Sequence, residues 1–374
     1  MKRLRWYIKN IFLFILNKFF LVFWIFKIDK QKIFFMSYAG RQYACNPKYV
    51  SEYLIKKYNN KYTLIWAVDN EVKLPAYGYI SVKPKTFKYY YHLLTSQIIV
   101  HNVYIPPWLP YRRKQVIINT WHGGGLGKFP YYDFENLSWY NKQLLKEKTT
   151  YFLSSSKKFS NLVIRGTFKS NSKILEIGLP RNDELFERKV DYVVHDFYHI
   201  RHDTDILLYA PTYRDIESKT FIKLDLLEVV SAWKKKTGKD AVMLYRPHPL
   251  SKQKVSESAY VKDGSKYEDM QHILKETSCY ITDYSSAIWD YCILEKPCIL
   301  YVPDSDEYEN NRKLYMKPAE YKLPFCKTNT EVLKIIRTYS DDDYKNAIYK
   351  YKNLLGTFEK GTATVSLVSY IEKL

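Results

Sequence analysis

Cysteine, glycine and acidic side chains are all scarce in this chain, and the shortages remove whole classes of function. The 374 residues include five cysteines, Cys45, Cys279, Cys292, Cys298 and Cys326. Their number is odd, no two form a CxxC pair, and their neighbours are mostly apolar. That excludes a disulfide framework and a zinc module, and leads us to expect reduced, buried thiols in a cytosolic compartment. Acidic residues number 39 against 59 Lys and Arg, a formal charge of +20. The excess favours polyanionic partners, although a composition rich in Lys, Ile, Tyr and Asn supplies part of it. Nucleic acid is not an expected partner: helix-turn-helix, zinc-finger, RNP and OB patterns are missing, and the basic residues are spread rather than striped. The GxxxxGK(S/T) phosphate loop is absent as well, as are internal repeats and low-complexity tracts. Apolar and aromatic residues, by contrast, are plentiful: 46% hydrophobic, with 37 Tyr and 8 Trp. That content excludes wholesale disorder, and the length calls for two domains rather than one core.

A long uninterrupted apolar run is also missing. Residues 1–28 begin with the basic Lys2, Arg3 and Arg5 and continue into a greasy stretch holding Trp6, Phe12, Phe19, Phe23 and Trp24. Lys9, Asn10, Asn17 and Lys18 interrupt it, so no segment approaches the ~20 apolar residues of a membrane span. No small-residue cleavage site follows. The four polar residues form two adjacent pairs about two turns apart and share roughly one side of a helix. The expectation is an amphipathic helix over 1–28 that lies in an anionic membrane surface without crossing it.

Beyond it, short apolar runs alternate with helical spacers, the pattern of parallel sheets with covering helices. In the first half the runs Lys32–Ser37, Tyr62–Val68, Ser96–Val100, Val116–Ile118, Tyr151–Ser154 and Lys173–Gly178 read as strands, with a weaker one at Val82–Lys85. Helices are expected over 47–58, 87–95 and 137–151. A polar, charged run from Glu187 to Asp205 separates the halves. The alternation restarts with strands at Ile206–Ala210, Ala241–Tyr245, Cys279–Thr282 and Cys298–Val302. Helices are expected over 224–236, 269–276 and 287–294, and a helical, lysine-rich end from Glu307. The economical reading is α/β, with two parallel-sheet domains, 29–186 and 187–374, facing a shared cleft.

Ligands of open parallel sheets bind beyond the carboxyl ends of the strands, and the polar signatures of both halves fall there. After Val116–Ile118 come Asn119, Thr120, Trp121 and His122, then Gly123, Gly124, Gly125, Leu126, Gly127 and Lys128. Glycine at that density lets the backbone take positive φ and approach a ligand. An imidazole beside such a loop and a lysine is placed to meet a phosphate or a hydroxyl; a plain glycine turn capped by a histidine is the competing reading. In the second half the strand ends carry APTYR with Arg214, RPHP with Arg246 and His248, and TDYSSAIWD with Asp283, Ser285 and Ser286. Pro247 and Pro249 stiffen their segment, so that a guanidinium and an imidazole can meet charge on a phosphoryl oxygen. Ser285 and Ser286 stand where a helix begins, and their hydroxyls with the first free N–H groups suit a diphosphate. Simple N-capping is the alternative. Arg181, in GLPRND, reads either as a site contact or as a salt-bridged interdomain residue. His195, His199 and His202 have helical spacing, but with few acidic neighbours a solvated linker face is a better reading than a metal site. No metal cage or cofactor site is visible, and cation dependence stays open.

Taken in order, TWHGGGLGK, GLPRND, YAPTYR, YRPHP and ITDYSSAIWDYCILEKPCILYVPD resemble the motifs of the CDP-glycerol glycerophosphotransferase family of teichoic acid and capsule synthesis. The likeness runs from about Phe34 to Val302 or beyond. It implies a GT-B fold, two Rossmann-like domains with the donor nucleotide mostly in the second, and a single-module, single-addition or primase-type member. It further implies His122 as general base on the acceptor hydroxyl and His248 as a second essential histidine near the donor phosphates. Asp283, Ser285 and Ser286 match the donor diphosphate segment, Arg214 and Arg246 its phosphate contacts, while Gly123, Gly124, Gly125, Lys128 and Arg181 fall on the acceptor side. Many members place a lysine five residues past the histidine, whereas Lys128 lies six past His122. The reaction implied is attack of an acceptor hydroxyl on the β-phosphorus of CDP-glycerol, with CMP leaving. The implied acceptor is a polyprenyl-diphosphate-linked saccharide or a glycan, and the implied location the cytoplasmic face of the cell membrane, peripherally attached. The alternatives are CDP-ribitol as donor, a nucleotide-sugar glycosyltransferase of the same fold, and a non-catalytic glycan-binding scaffold.

Overall fold

The structure, a computed structural model, describes residues 2–58, 60–126, 148–214, 223–248, 251, 255–311 and 314–374. Lys128, Pro249 and residues 137–147 of the helix expected over 137–151 lie outside the described residues; its last residue, Tyr151, instead begins a strand. Strands β1 (Asp29–Met36), β2 (Thr63–Ala67), β3 (Ile80–Val82), β4 (Ser96–His101), β5 (Val116–Asn119), β6 (Tyr151–Leu153) and β7 (Lys173–Leu175) form one sheet, in the order β3-β2-β1-β4-β5-β6-β7. Strands β8 (Asp205–Tyr209), β9 (Ala241–Tyr245), β10 (Val261–Asp263), β11 (Thr277–Thr282), β12 (Cys298–Tyr301) and β13 (Phe325–Cys326) form a second, in the order β10-β9-β8-β11-β12-β13. Neighbouring strands pair in parallel throughout, as in the registers Phe34↔Ile99 and Tyr280↔Cys298. Strands covered on both faces read as unbroken apolar runs, and Ile33, Phe34, Phe35 and Met36 are all buried. The edge strands β10 and β13, three and two residues long, were not anticipated, because so short a run carries no periodicity. All five cysteines are buried and unpaired.

In each sheet the strand order reverses once, between β1 and β4 and between β8 and β11. A crevice opens at such a reversal, outside the carboxyl ends of the strands. The segments 37–46, 101–103 and 119–126 leave the first sheet at that end, and 210–214, 246–248 and 282–286 leave the second.

Two packing results depart from the sequence reading. The helix Ala363–Ile371, expected with the second domain, returns to the first sheet, where Leu367, Val368 and Ile371 join a core with Ile33, Val50, Trp66 and Ile98. Asp183 accepts bonds from Ala363 N and Thr364 N at the start of that helix, at 2.9 and 2.7 Å. At the other end of the chain a helix spans Lys2–Phe20 and a 3-10 turn Leu21–Ile25. Phe23, read as part of the greasy surface, is instead 1% exposed. It shares a core with Phe20, Phe34 and Leu93. Asn17 Nδ2 and Trp24 Nε1 tie the segment to Trp108 O and Pro110 O at 2.7 and 2.8 Å. Ile8, Ile11, Phe12, Phe14, Ile15 and Phe19 remain exposed. No helix among the described residues is long and apolar enough to cross a membrane.

His195, read as part of a solvated face, is 4% exposed. Its Nδ1 meets Glu276 Oε2 at 2.6 Å and its Nε2 meets Thr204 O at 3.0 Å. Both partners are acceptors, so the ring holds two protons. Burial alone would lower its pKa, but the bonds to Glu276 and Thr204 outweigh that and raise it. Glu276 also takes the N–H groups of Val194 and His195, and its pKa is lowered despite burial. We expect His195→Ala to cost about 2 kcal/mol, as for a hydrogen bond to a charged group. The cost is held down because the two N–H donors still serve the carboxylate. The sign with pH follows from linkage: the His195 share of stability is present below its unfolded pKa and is lost as pH rises through the raised folded value. Urea melts of wild type and variant at pH 6 and pH 9 check both statements; equal differences at the two pH values would contradict the pairing.

Candidate functional site

The site is built outward from the tip of β5. Asn119 Oδ1 accepts Trp121 N at 2.9 Å, and Asn46 Nδ2 donates to the carbonyls of Thr120 and Trp121 at 3.0 and 2.9 Å. These bonds hold Trp121 at φ 52, the left-handed region that a bulky residue rarely adopts. Its indole is buried against Phe168, with ring centroids 4.9 Å apart. The turn presents His122 beyond the sheet, partly buried, with its ring 5.7 Å from that of Tyr38. His122 Nδ1 donates to Asn102 O at 2.8 Å. A carbonyl accepts only, so the neutral ring carries its proton on Nδ1 and leaves a lone pair on Nε2. Burial pulls its pKa down to about 4; the Asn102 carbonyl opposes the shift, and the Arg181 cation adds to it. The imidazole is therefore neutral near pH 7, the form a general base needs.

The glycines after it serve packing between the halves. A Cβ on Gly124 would lie 2.2 Å from Trp289 Cδ1 and 2.8 Å from Asp290 Oδ1. Gly125, at φ +60, would place one 3.0 Å from Trp289 Cε3 and 3.2 Å from Leu355 Cδ1. Gly125 N also donates to Ser155 Oγ at 3.1 Å. A Cβ on Gly123, by contrast, would meet Ser286 Cβ at an ordinary 3.8 Å. The loop that carries His122 therefore lies directly on the Ser285–Ser286 turn and the helix Ala287–Tyr291 of the second half. We expect Gly124→Ala to cost about 1–3 kcal/mol by overpacking and to lower turnover with it, read by thermal melts and initial rates; a variant with unchanged stability would contradict this packing.

In the second half, Asp283 is buried and fully bonded. It accepts Thr212 N at 2.9 Å, Tyr284 N at 2.6 Å and an Arg214 ion pair at 2.9 Å. Arg214 also pairs with Asp304 at 2.7 Å and lies over the Tyr308 ring, 4.6 Å from its centroid. Arg246 donates to Tyr267 O at 2.6 Å and to Gly264 O and Glu268 O. These three residues brace the ends of β8, β9 and β11. Of the set only Asp283 is buried; Arg214, Arg246, His248, Ser285 and Ser286 are all partly exposed. Ser285 Oγ accepts Ala287 N at 3.3 Å, so it caps the short helix as well. The His248 ring lies 5.7 Å from that of Tyr213.

Of the two readings of Arg181, the structure shows the salt-bridged one. It is 4% exposed and forms a two-pronged pair with Asp290, at 2.9 and 3.1 Å, plus a bond to Cys45 Sγ at 3.2 Å. Asn182 and Gln271 complete the shell of Asp290. Glu359 accepts from Leu179 N, Trp289 Nε1 and Asn182 Nδ2. Burial, with the nearby Asp290 carboxylate adding to it, pushes the Glu359 carboxyl up to about 7 against those donors. The cluster joins the halves beneath the loop that holds His122. Sequence reasoning missed Asn102 and Glu359, which no motif marks, and gave no role to Asp304, the last residue of the ITDYSSAIWDYCILEKPCILYVPD motif; each works only through partners far away in the chain.

The family model described as CDP-Glycerol:Poly(glycerophosphate) glycerophosphotransferase matches residues 18–373. The chain is 27% identical over 364 residues to the teichoic acid poly(glycerol phosphate) polymerase of Bacillus spizizenii, covering 91% of each chain. It is 28% identical over 367 residues to the teichoic acid glycerol-phosphate transferase of Staphylococcus aureus, covering 92% of this chain and 94% of that one. Against the poly(glycerol phosphate) polymerase of Bacillus subtilis it is 26% identical over 338 residues, 85% of this chain, and spans only 45% of that protein's length. A structure of the wall teichoic acid polymerase TagF superposes with a TM-score of 0.81 at 27% identity, covering 100% of this chain and 96% of that one. The two parallel-sheet halves form a TagF-like GT-B fold.

Proposed function

The chain belongs to the CDP-Glycerol:Poly(glycerophosphate) glycerophosphotransferase family, and on that premise we propose that it moves a glycerol-phosphate unit from CDP-glycerol to an acceptor hydroxyl in teichoic acid synthesis. The acceptor hydroxyl gives its proton to Nε2 of His122, and its oxygen attacks the β-phosphorus in line. The bond from that phosphorus to the bridging oxygen breaks, and CMP leaves with the oxygen. Little covalent chemistry is asked of the protein; positioning and charge stabilisation carry phosphoryl transfer. His248 and the hydroxyls of Ser285 and Ser286 meet the phosphoryl oxygens. Arg214, Arg246 and Asp283 hold those segments in place around a crevice between the lobes.

The observation that carries this reading is the meeting of the neutral His122, on the first half, with the Ser285–Ser286 turn of the second, through Gly123. Incubating purified protein with CDP-glycerol, CDP-ribitol and UDP-sugars, and measuring CMP or UDP release, tests it. CMP release from CDP-glycerol in the presence of a lipid-linked saccharide is expected. UDP release alone would point to a glycosyltransferase, and no release from any donor to a binding scaffold.

The acceptor belongs at the cytoplasmic face of the membrane, with the protein attached peripherally. Exposed Ile8, Ile11, Phe12, Phe14, Ile15 and Phe19 share the N-terminal segment with exposed Lys18 and Lys27. That combination suits insertion into an anionic interface. The protein should sediment with phosphatidylglycerol vesicles, and a Phe14→Ser, Phe19→Ser variant should stay in the supernatant. Equal partitioning of the two would discard the attachment.

A further inference from the structure

Asn102 follows β4 at the strand-order reversal, between the ends of β1 and β5. It is buried to 0% exposure. Its main-chain oxygen receives the His122 Nδ1 proton at 2.8 Å. Its side-chain Oδ1 accepts Tyr38 N at 2.8 Å, where Tyr38 stands at φ 48. The flanking residues are pinned too. Thr120 N and Oγ1 donate to His101 O at 2.8 and 3.0 Å, and His101 Nδ1 meets Val103 O at 2.9 Å. The carbonyl that receives the His122 proton thus sits in a segment tied to both neighbouring strand ends.

The choice of side chain is informative. Asn102 Nδ2 is buried without a hydrogen-bond partner, a cost that native proteins seldom retain without reason. Alanine would remove that orphan but strand Tyr38 N. Aspartate would keep the acceptor with no orphan N–H, but would set a carboxylate beside the imidazole and favour its charged form. The other groups acting on that ring are the Arg181 guanidinium and the Tyr38 phenol. Asparagine is the residue that supplies the acceptor and adds no charge.

We infer that Asn102 is a positioning residue for His122: its carbonyl decides which ring nitrogen holds the proton, and its side chain, anchored on Tyr38, holds that carbonyl in place. This rests on His122 acting as the base in glycerol-phosphate transfer. The test uses full-length wild type, Asn102→Ala and Asn102→Asp, with histidine ¹⁵N spectra in which the His122 signals are assigned by their loss in His122→Gln. Wild type should show a single Nδ1–H tautomer. Asn102→Ala should mix the tautomers and lower kcat about 10–100-fold, while KM for CDP-glycerol stays within about twofold. Asn102→Asp keeps the Tyr38 bond and should raise the His122 titration, with the acid limb of the rate profile, by about one pH unit or more. An unchanged tautomer and kcat in Asn102→Ala, or an unmoved titration in Asn102→Asp, would overturn the inference. Should Asn102→Ala fail to fold, the aspartate titration decides alone. Absence of CMP release by the wild type would instead strike the functional reading, while the imidazole spectra still judge the role of Asn102.

Discussion

His122→Ala is expected to lower kcat for CMP release about 10²–10⁴-fold, the span of general-base catalysis, with little change in KM for CDP-glycerol. In the proposed reaction the second half holds the donor, so removing a group that acts only on the acceptor hydroxyl should leave ground-state binding of the donor in place. The fold should survive. The ring bonds the Asn102 carbonyl, and a water in the space the ring vacates can take its place. The pH profile supplies a second readout. With its pKa pulled down to about 4, the imidazole is the free base across the neutral range, and the rate should fall only as pH drops toward 4. A wild-type acid limb near 6.5, the ordinary histidine value, or a His122→Ala enzyme retaining most of its turnover, would remove His122 from the base's role.

Asp290→Ala should be among the most destabilising single changes in the protein, at about 3–5 kcal/mol. It would leave the Arg181 guanidinium buried without its carboxylate, and take an acceptor from Asn182 and Gln271 as well. Against a total stability of about 5–15 kcal/mol, a loss of that size is readily seen in a urea melt. The double variant Arg181→Met, Asp290→Leu should recover much of it, because removing both charges removes the uncompensated one. The same experiment separates the two roles open to Arg181. A residue that contacts the acceptor would raise KM for the acceptor and leave stability alone. The structure instead places Arg181 as a clamp between the halves, so the variants should lose stability while the folded fraction keeps its acceptor KM. A stable Arg181→Met enzyme with a raised acceptor KM would reverse that assignment.

Local pattern alone determined a good deal about this protein. Buried parallel strands are continuous apolar runs, so β1, β2, β4, β5, β8, β9, β11 and β12 are legible in the chain, and the alternation with helices identifies the α/β class. The order of five short polar motifs is equally local, and with it the family and the strand ends where the proposed chemistry sits. Tertiary structure alone decided what those residues touch. Gly124 and Gly125 read as room for a ligand, and prove to be room for Trp289. Arg181 read as reaching outward, and is turned inward by Asp290, 109 residues away. His195 read as solvated, and is buried on Glu276, 81 residues away. Phe23 read as membrane-facing and docks under the first sheet, while Leu367, Val368 and Ile371 leave the half they follow in sequence. In each case the deciding partner is remote along the chain, and burial, ion pairing and close packing depend on proximity in space, which the spacing of residues along one segment does not encode.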